Sequence, residues 1–287
     1  MTQPPDLAPP PTPDNRPADL AVAAAAAGTP GEHYTFGDSS VAAWRLALLA
    51  ALFEPSSARL LRLLAYRQPR NAVDLGCGPG WSTRLLHALL APARTLGLEL
   101  SPEHVARARE AAPPGVEYRI HEVTSIPFPG PAPDLLYSRF LLTHLRATDQ
   151  VLAAWGAAAA DGAVLVLEET AEIGCPHPAF VRYYQLVDEL QGSYGQRLRI
   201  GATLAVPADS GWESELDLRT PLLLPAARMA RLHALNIASW RHDPYARASF
   251  DGAELDRLAA QLEAVACGTD AAPPVRQVMR QLVLTRR

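Results

Sequence analysis

Residues 71 to 80 read Asn71-Ala72-Val73-Asp74-Leu75-Gly76-Cys77-Gly78-Pro79-Gly80, and the run Trp81 to Leu90 follows with apolar residues at helical spacing. An apolar stretch closed by an acid and Leu75 predicts a strand, the glycines at 76, 78 and 80 predict a tight turn, and the amphipathic run predicts a helix. Glycine lets the turn take positive φ and lets a ligand lie against bare main chain. The opening helix points its N–H groups at the same spot. This stretch is therefore expected to bind something small.

The segments that follow repeat the alternation of strand and helix. Thr95 to Leu100 reads as a second strand, and Ser101-Pro102-Glu103 supplies a cap, a proline at the first helical position and an acidic first turn. Glu99 ends that strand about twenty residues past the glycine turn, the position from which a carboxylate accepts hydrogen bonds from ribose hydroxyls. Val116 to Glu122 reads as a third strand and Asp134 to Ser138 as a fourth. The first and fourth strands flank the topological switch of an open parallel sheet, which puts Ser138, Arg139 and His144 on the reaction side as candidates. Asp149 to Ala160 reads as a helix and Ala163 to Glu168 as a strand buried on both faces. The Glu168-Glu169 pair that ends it is open to acid/base work, to binding a cationic substrate or to solvation.

Val73-Asp74-Leu75-Gly76-Cys77-Gly78-Pro79-Gly80 resembles the first motif of the class I S-adenosylmethionine-dependent methyltransferases, and the G-x-G-x-x-G spacing of dinucleotide-binding proteins is absent. The resemblance implies an α/β, Rossmann-like fold with a seven-stranded, mostly parallel sheet, N-terminal helices and a helical insertion before the last strand. It implies S-adenosyl-L-methionine as cofactor and methyl transfer to a small organic acceptor. On this resemblance Asp74, Gly76, Gly78 and Gly80 hold the methionine end, and Glu99 and Leu100 the ribose side. The Glu122-Val123 corner, in place of the family's Gly-Asp-Ala-like triplet, meets the adenine, and Ser138 completes the cofactor side. Tyr34-Thr35-Phe36-Gly37 at the front, Ser138-Arg139-Phe140-Leu141-Leu142-Thr143-His144-Leu145 after the fourth strand and the late helical insert are similar to bacterial small-molecule methyltransferases of the ubiquinone/menaquinone-methyltransferase-like group, which implies an acceptor of secondary metabolism. N-terminal helices often cover the pocket in this family, so Tyr34 and Phe36 are candidates for lining it, with anchoring of the tail as the equal alternative. A descendant that keeps the cofactor for another reaction, such as a cyclisation, and a silent cofactor-binding protein stay open as alternatives.

The chain divides accordingly. Residues 1–33, crowded with Pro and Ala, are expected to be a flexible tail. Residues 34–70 carry two helices, the first from Ser40 and the second from Ser56 or Ser57, separated by a break at Glu54-Pro55. Residues 71–175 form the cofactor-binding core. Residues 176–220 hold the helices Phe180 to Leu190, with Tyr183 as an acceptor contact, and Arg199 to Val206, then the strand Trp212 to Thr220. Residues 221–273 are a helical insertion, Leu222 to Trp240 and Ala253 to Ala266 about Asp243-Pro244, read as a lid with Trp240, His242 and Tyr245 toward the acceptor, or as a dimerisation arm. Residues 274–287 contain the last strand.

Composition narrows the chemistry further. With 287 residues, 48% apolar, and a net charge of −4, the chain lacks the electrostatic footprint of a nucleic-acid binder. Cys77, Cys175 and Cys267 are far apart and show no metal-ligand spacing, so no metal site is expected and a reducing cytoplasm is the simplest compartment. No run reaches the length of a membrane span. His144 is the one catalytic candidate, the partner is a small molecule, and a homodimer stays open.

Overall fold

The computed structural model describes residues 40–287, with side chains from Trp44 onward. The expected tail, Tyr34 and Phe36 lie outside the described residues. The sheet is built from β1 (Asn71–Leu75), β2 (Arg94–Glu99), β3 (Val116–Ile120), β4 (Leu135–Arg139), β5 (Val164–Gly174), β6 (Trp212–Leu224) and β7 (Val275–Arg286). Their order is β3-β2-β1-β4-β5-β7-β6. β1 to β5 run parallel, and β7 inserts antiparallel between β5 and β6. The chain order reverses between β1 and β4, so a crevice opens beyond Leu75 and Arg139, where a ligand meets a doubly wound sheet.

Alternation along the strands assigns the two faces. Val73, Leu75, Leu136, Leu165 and Leu167 face α4 (Thr148–Ala158) through Leu152 and Trp155. Ala72, Leu135, Tyr137, Val164 and Val166 face α1 (Ser40–Leu63) and α2 (Trp81–Leu90) through Leu60, Leu61, Leu64, Leu86 and Leu90. α3 (Pro102–Glu110) begins as expected, with the Ser101 hydroxyl accepting from the His104 N–H and Pro102 at the first position.

The expected break at Glu54-Pro55 does not occur, and α1 continues through Pro55. Its two halves are held by different cores. Leu52 and Phe53 pack with the C-terminal helices, and Leu60, Leu61 and Leu64 pack on the sheet. Between them, Ser56 and Ser57 turn their hydroxyls to Gln281 of β7 and Arg139 of β4. Tertiary packing thus outweighs the hydrogen bond that proline removes.

The predicted insertion folds as α7 (Ala226–Trp240), α8 (Pro244–Ser249) and α9 (Gly252–Ala266). α8 stands where the sequence suggests only a break, and Asp243 caps it by accepting from the Tyr245 and Ala246 N–H groups. These helices share one core with α5 (Pro178–Ser193) and the front of α1, centred on Phe180, Tyr183, Leu190, Ile237, Trp240 and Leu262. The expected helix at Arg199 to Val206 shrinks to α6 (Ile200–Thr203). β6 extends through Pro221, which an edge strand tolerates because one side of it carries no ladder.

Candidate cofactor and acceptor site

The glycine turn emerges from β1 with φ of 66°, 52° and 82° at Gly76, Gly78 and Gly80. The reasons for glycine differ along it. A Cβ on Gly80 would stand 2.5 Å from the Tyr118 hydroxyl, so Gly80 makes room for a buried side chain of β3. A Cβ on Gly78 would meet only Leu46 of α1, at 3.6 Å, so here the positive φ and open main chain are the requirement. Asp74 is buried and accepts from the Ser82 hydroxyl at 2.7 Å and the Thr83 hydroxyl at 2.6 Å, both through Oδ2. Burial pushes its pKa up to about 6 against these two hydrogen bonds. Asp74 therefore fastens the first turn of α2 to the end of β1.

Glu99 closes β2 beside the turn. Its Oε2 accepts from the Gly78 N–H at 3.0 Å, and its Oε1 accepts from the Leu100 and Ser101 N–H groups at 2.9 and 3.0 Å. Three main-chain donors hold a carboxylate at the strand end and leave part of its acceptor capacity unused by them. Leu100, next along, is 51% exposed and offers an apolar surface. Glu122, just beyond β3, is half-buried and its Oε1 accepts from the Thr124 N–H and hydroxyl at 3.2 Å each. Val123 is buried, and its carbonyl accepts from the Trp155 indole at 2.9 Å. Ser138 at the end of β4 is buried with no hydrogen-bond partner for its hydroxyl. A glycine turn, a fixed acid, an apolar side chain, a second acid and an unspent hydroxyl thus lie along adjacent strand ends. That donor and acceptor set fits an amino-acid tail, a ribose and an adenine in sequence.

The reaction side is arranged differently. Arg139 donates to the Ser57 hydroxyl at 2.9 Å, which ties β4 to α1. Phe140 follows it at φ 57°, a left-handed conformation, and its ring meets Phe53 edge-on with centroids 4.8 Å apart. The sequence gives no signal for that placement. The 3-10 turn Leu142–His144 comes next, and burial together with the charge of Arg45 pushes the His144 pKa down to about 4. Its imidazole is neutral at physiological pH and is a weak base there.

The acids ending the apolar part of β5 are both buried, which the solvated reading did not foresee. Glu168 accepts from the Tyr137 hydroxyl and, at 2.6 Å, from Gln281. Glu169 accepts from the Leu142 N–H at 2.8 Å, and burial pushes its pKa up to about 8. They face opposite sides of the sheet, Glu168 bracing α1 and Glu169 bracing the turn before His144.

Tyr183 of α5 and Trp240 of α7, read from sequence as acceptor contacts, are brought together. Both are buried, and Asn236 of α7 links Tyr183 to Arg45 of α1. His242 is exposed, and Tyr245 donates to Glu189 at 3.1 Å, so neither joins this group. Arg45 and Asn236 were missed, since no local pattern marks them. Among the described residues no cluster of His, Cys, Asp or Glu has metal-binding geometry, and no helix is long and apolar enough to cross a membrane.

A family described as a methyltransferase domain matches residues 72–162. The chain is 44% identical to the trans-aconitate 2-methyltransferase of Methylobacterium nodulans over 89 residues, 31% of this chain and 34% of that protein. It thus spans about a third of that relative's length. It is 30% identical to the trans-aconitate 2-methyltransferase of Methylobacterium radiotolerans over 237 residues, 79% of this chain and 88% of that protein. Among solved structures, the YcgJ protein of Bacillus subtilis superposes with a TM-score of 0.50 at 14% identity, covering 81% of this chain and 98% of that one. This last similarity is one of fold.

Proposed function

The chain belongs to the class I S-adenosylmethionine-dependent methyltransferases, and from that premise we propose that it methylates a carboxylate of a small organic acid, with trans-aconitate as the acceptor to assay first. The observation that carries the donor half is Glu99, held by N–H groups from the glycine turn and from its own strand end. In this reading Glu99 binds the ribose hydroxyls, Leu100 and Glu122 border the adenine, and the glycine turn with Ser138 borders the methionine end. Bound there, the cofactor would supply an electrophilic methyl group to a carboxylate oxygen, a transfer that would need no proton removed.

The acceptor class rests on the relatives named trans-aconitate 2-methyltransferase. The protein's own residues support it: a carboxylate needs no base, and the histidine on the reaction side is a weak one. Orientation and exclusion of water then supply the catalysis. His144 serves as a neutral hydrogen-bonding group toward the acceptor. The net charge of −4 argues against a nucleic-acid acceptor, and the free thiols of Cys77, Cys175 and Cys267 suit a reducing cytoplasm.

Incubation with S-adenosylmethionine and trans-aconitate, followed by mass spectrometry, is expected to yield a monomethyl ester and S-adenosylhomocysteine in equal amounts. Calorimetry showing that neither S-adenosylmethionine nor S-adenosylhomocysteine binds would overturn the donor half. Binding of both with no ester formed would overturn the acceptor half.

A further inference from the structure

We propose that Glu169 is a positioning residue for the donor: by holding the N–H groups of Leu141 and Leu142 it keeps the Leu141 side chain seated over Gly76, at the methionine end of the cofactor site. The inference rests on the reading above that the glycine turn borders the methionine end.

It begins where β4 runs out. The Phe140 N–H donates to the Glu168 carbonyl at 3.0 Å, which extends the β4–β5 ladder by one bond, and the chain then turns away with Phe140 at φ 57°. The 3-10 turn Leu142–His144 follows at once, with Leu141 at its cap position. The first N–H groups of such a turn have no partner inside it, and a leucine cannot cap them. The Leu141 carbonyl is engaged by the His144 N–H at 2.9 Å, so only the donors are left over. Glu169 meets that need from another strand. Its Oε1 accepts from the Leu142 N–H at 2.8 Å, and the Leu141 N–H also bears on the carboxyl.

The acid is committed to this task. Glu169 is 1% exposed. α6 packs so closely over this part of β5 that a Cβ on Gly201 would stand 2.8 Å from the Thr170 carbonyl oxygen and 3.0 Å from that of Glu169. Arg280, opposite Glu169 on β7, is engaged with Asp217 and with the Gly201 and Leu204 carbonyls. The carboxyl therefore serves main-chain donors in place of an ion pair.

Leu141 carries the effect to the donor side. It is half-buried, and its Cδ1 stands 2.7 Å from the place of a Cβ on Gly76, with Cδ2 and Cγ at 3.2 and 3.3 Å. Gly76, at φ 66°, thus leaves room for Leu141 where the turn leaves β1. One carboxyl on β5 sets the backbone of Leu141, and Leu141 sets the first glycine of the turn.

The test starts without ligand. In Glu169→Gln, which keeps the shape of the side chain but offers one acceptor oxygen in place of two, the Leu141 and Leu142 N–H groups should exchange about 10-fold faster than in the wild type. The Phe140 N–H should keep its rate, because its acceptor is main chain. Calorimetry with S-adenosylhomocysteine reads the consequence. Binding is expected to weaken about 3-fold in Glu169→Gln and about 10-fold in Glu169→Leu and in Leu141→Ala. If Glu169 acts through Leu141, the double variant should be about as weak as Leu141→Ala alone, where independent effects would give about 100-fold. Should Glu169→Leu fail to fold, Glu169→Gln in the Leu141→Ala background carries the same cycle. Unchanged exchange at Leu141 and Leu142, wild-type affinity in Glu169→Gln and Glu169→Leu, or losses that multiply in the double variant would overturn the positioning role while leaving the donor site intact. Wild-type protein that does not bind S-adenosylhomocysteine would overturn the donor site and this role together.

Discussion

The proposed donor side of this crevice and the helical core beside it are built by different means. On the donor side the groups are close in sequence: Gly78 and Glu99 meet across adjacent strand ends, and Glu99 is bound by the N–H groups of its next two residues. Main chain and glycine do most of the positioning. In the helical core, side chains from distant helices converge, with Arg45 reaching Asn236 and Asn236 reaching Tyr183. A site made of backbone is fixed as soon as the strands pair. One made of side chains depends on how whole helices dock, and that is where related proteins are free to change acceptor.

The largest way to break the donor side is Gly80→Val. The left-handed φ of 82° and the 2.5 Å approach of the Tyr118 hydroxyl leave no room for a β-branched residue. We expect a loss of at least about 3 kcal/mol in urea unfolding, with donor binding lost as well. A variant of wild-type stability would mean that the turn is free to move.

The brace beneath the acceptor side comes next. Replacing Glu168 with Leu strips the buried Tyr137 and Gln281 groups of their acceptor, and should cost about 2 to 4 kcal/mol in unfolding free energy. Because Gln281 also donates to Ser56, the loss should fall on α1, seen as faster amide exchange in residues 50–60 than in β1. Equal exchange in both would show that the two sides are not separately held.

Glu99→Gln is expected to act locally. It keeps the shape of the side chain and removes the charge, so donor affinity should fall by about 10- to 100-fold. Trans-aconitate binding without donor should hold. Unchanged affinity for S-adenosylhomocysteine would remove Glu99 from the site.

The last test is in pH. Glu169 has its pKa raised to about 8, above its ordinary value of 4.5. Between these values the folded protein holds a proton that the unfolded chain has released, so stability declines as pH rises from about 5 to 8. Asp74, raised to about 6, adds a shallower decline at the acidic end of that window. Glu169→Gln should flatten the curve above pH 6, as read by thermal unfolding across buffers. A curve of wild-type slope would mean that Glu169 is ionised in the fold.

The same contrast explains what the sequence made legible. Strand, turn and helix at residues 71–90 declare themselves through local chemistry, as does Ser101-Pro102 at the start of α3. The family resemblance added the seven-stranded topology. Pro55 misled because a proline argues for a break on local grounds, while two separate cores hold α1 straight through it. Arg45 and Asn236 were illegible because an arginine in an amphipathic helix carries no mark of what it will face. Tyr183 and Trp240 were legible as aromatics on helices, but their meeting across α5 and α7 is visible only in three dimensions. Arg139 was placed by its strand end, and its contact with Ser57 belongs to a helix the sequence had divided in two.

The most direct test of the account is kinetic, with methyl-labelled S-adenosylmethionine and trans-aconitate on the wild type and on Glu99→Gln. Glu99→Gln should raise the KM for the donor and leave that for the acid unchanged, and label should appear in the ester in step with S-adenosylhomocysteine. Wild-type protein that binds the donor yet transfers no label to the acid, or a Glu99→Gln variant that raises both constants together, would contradict it.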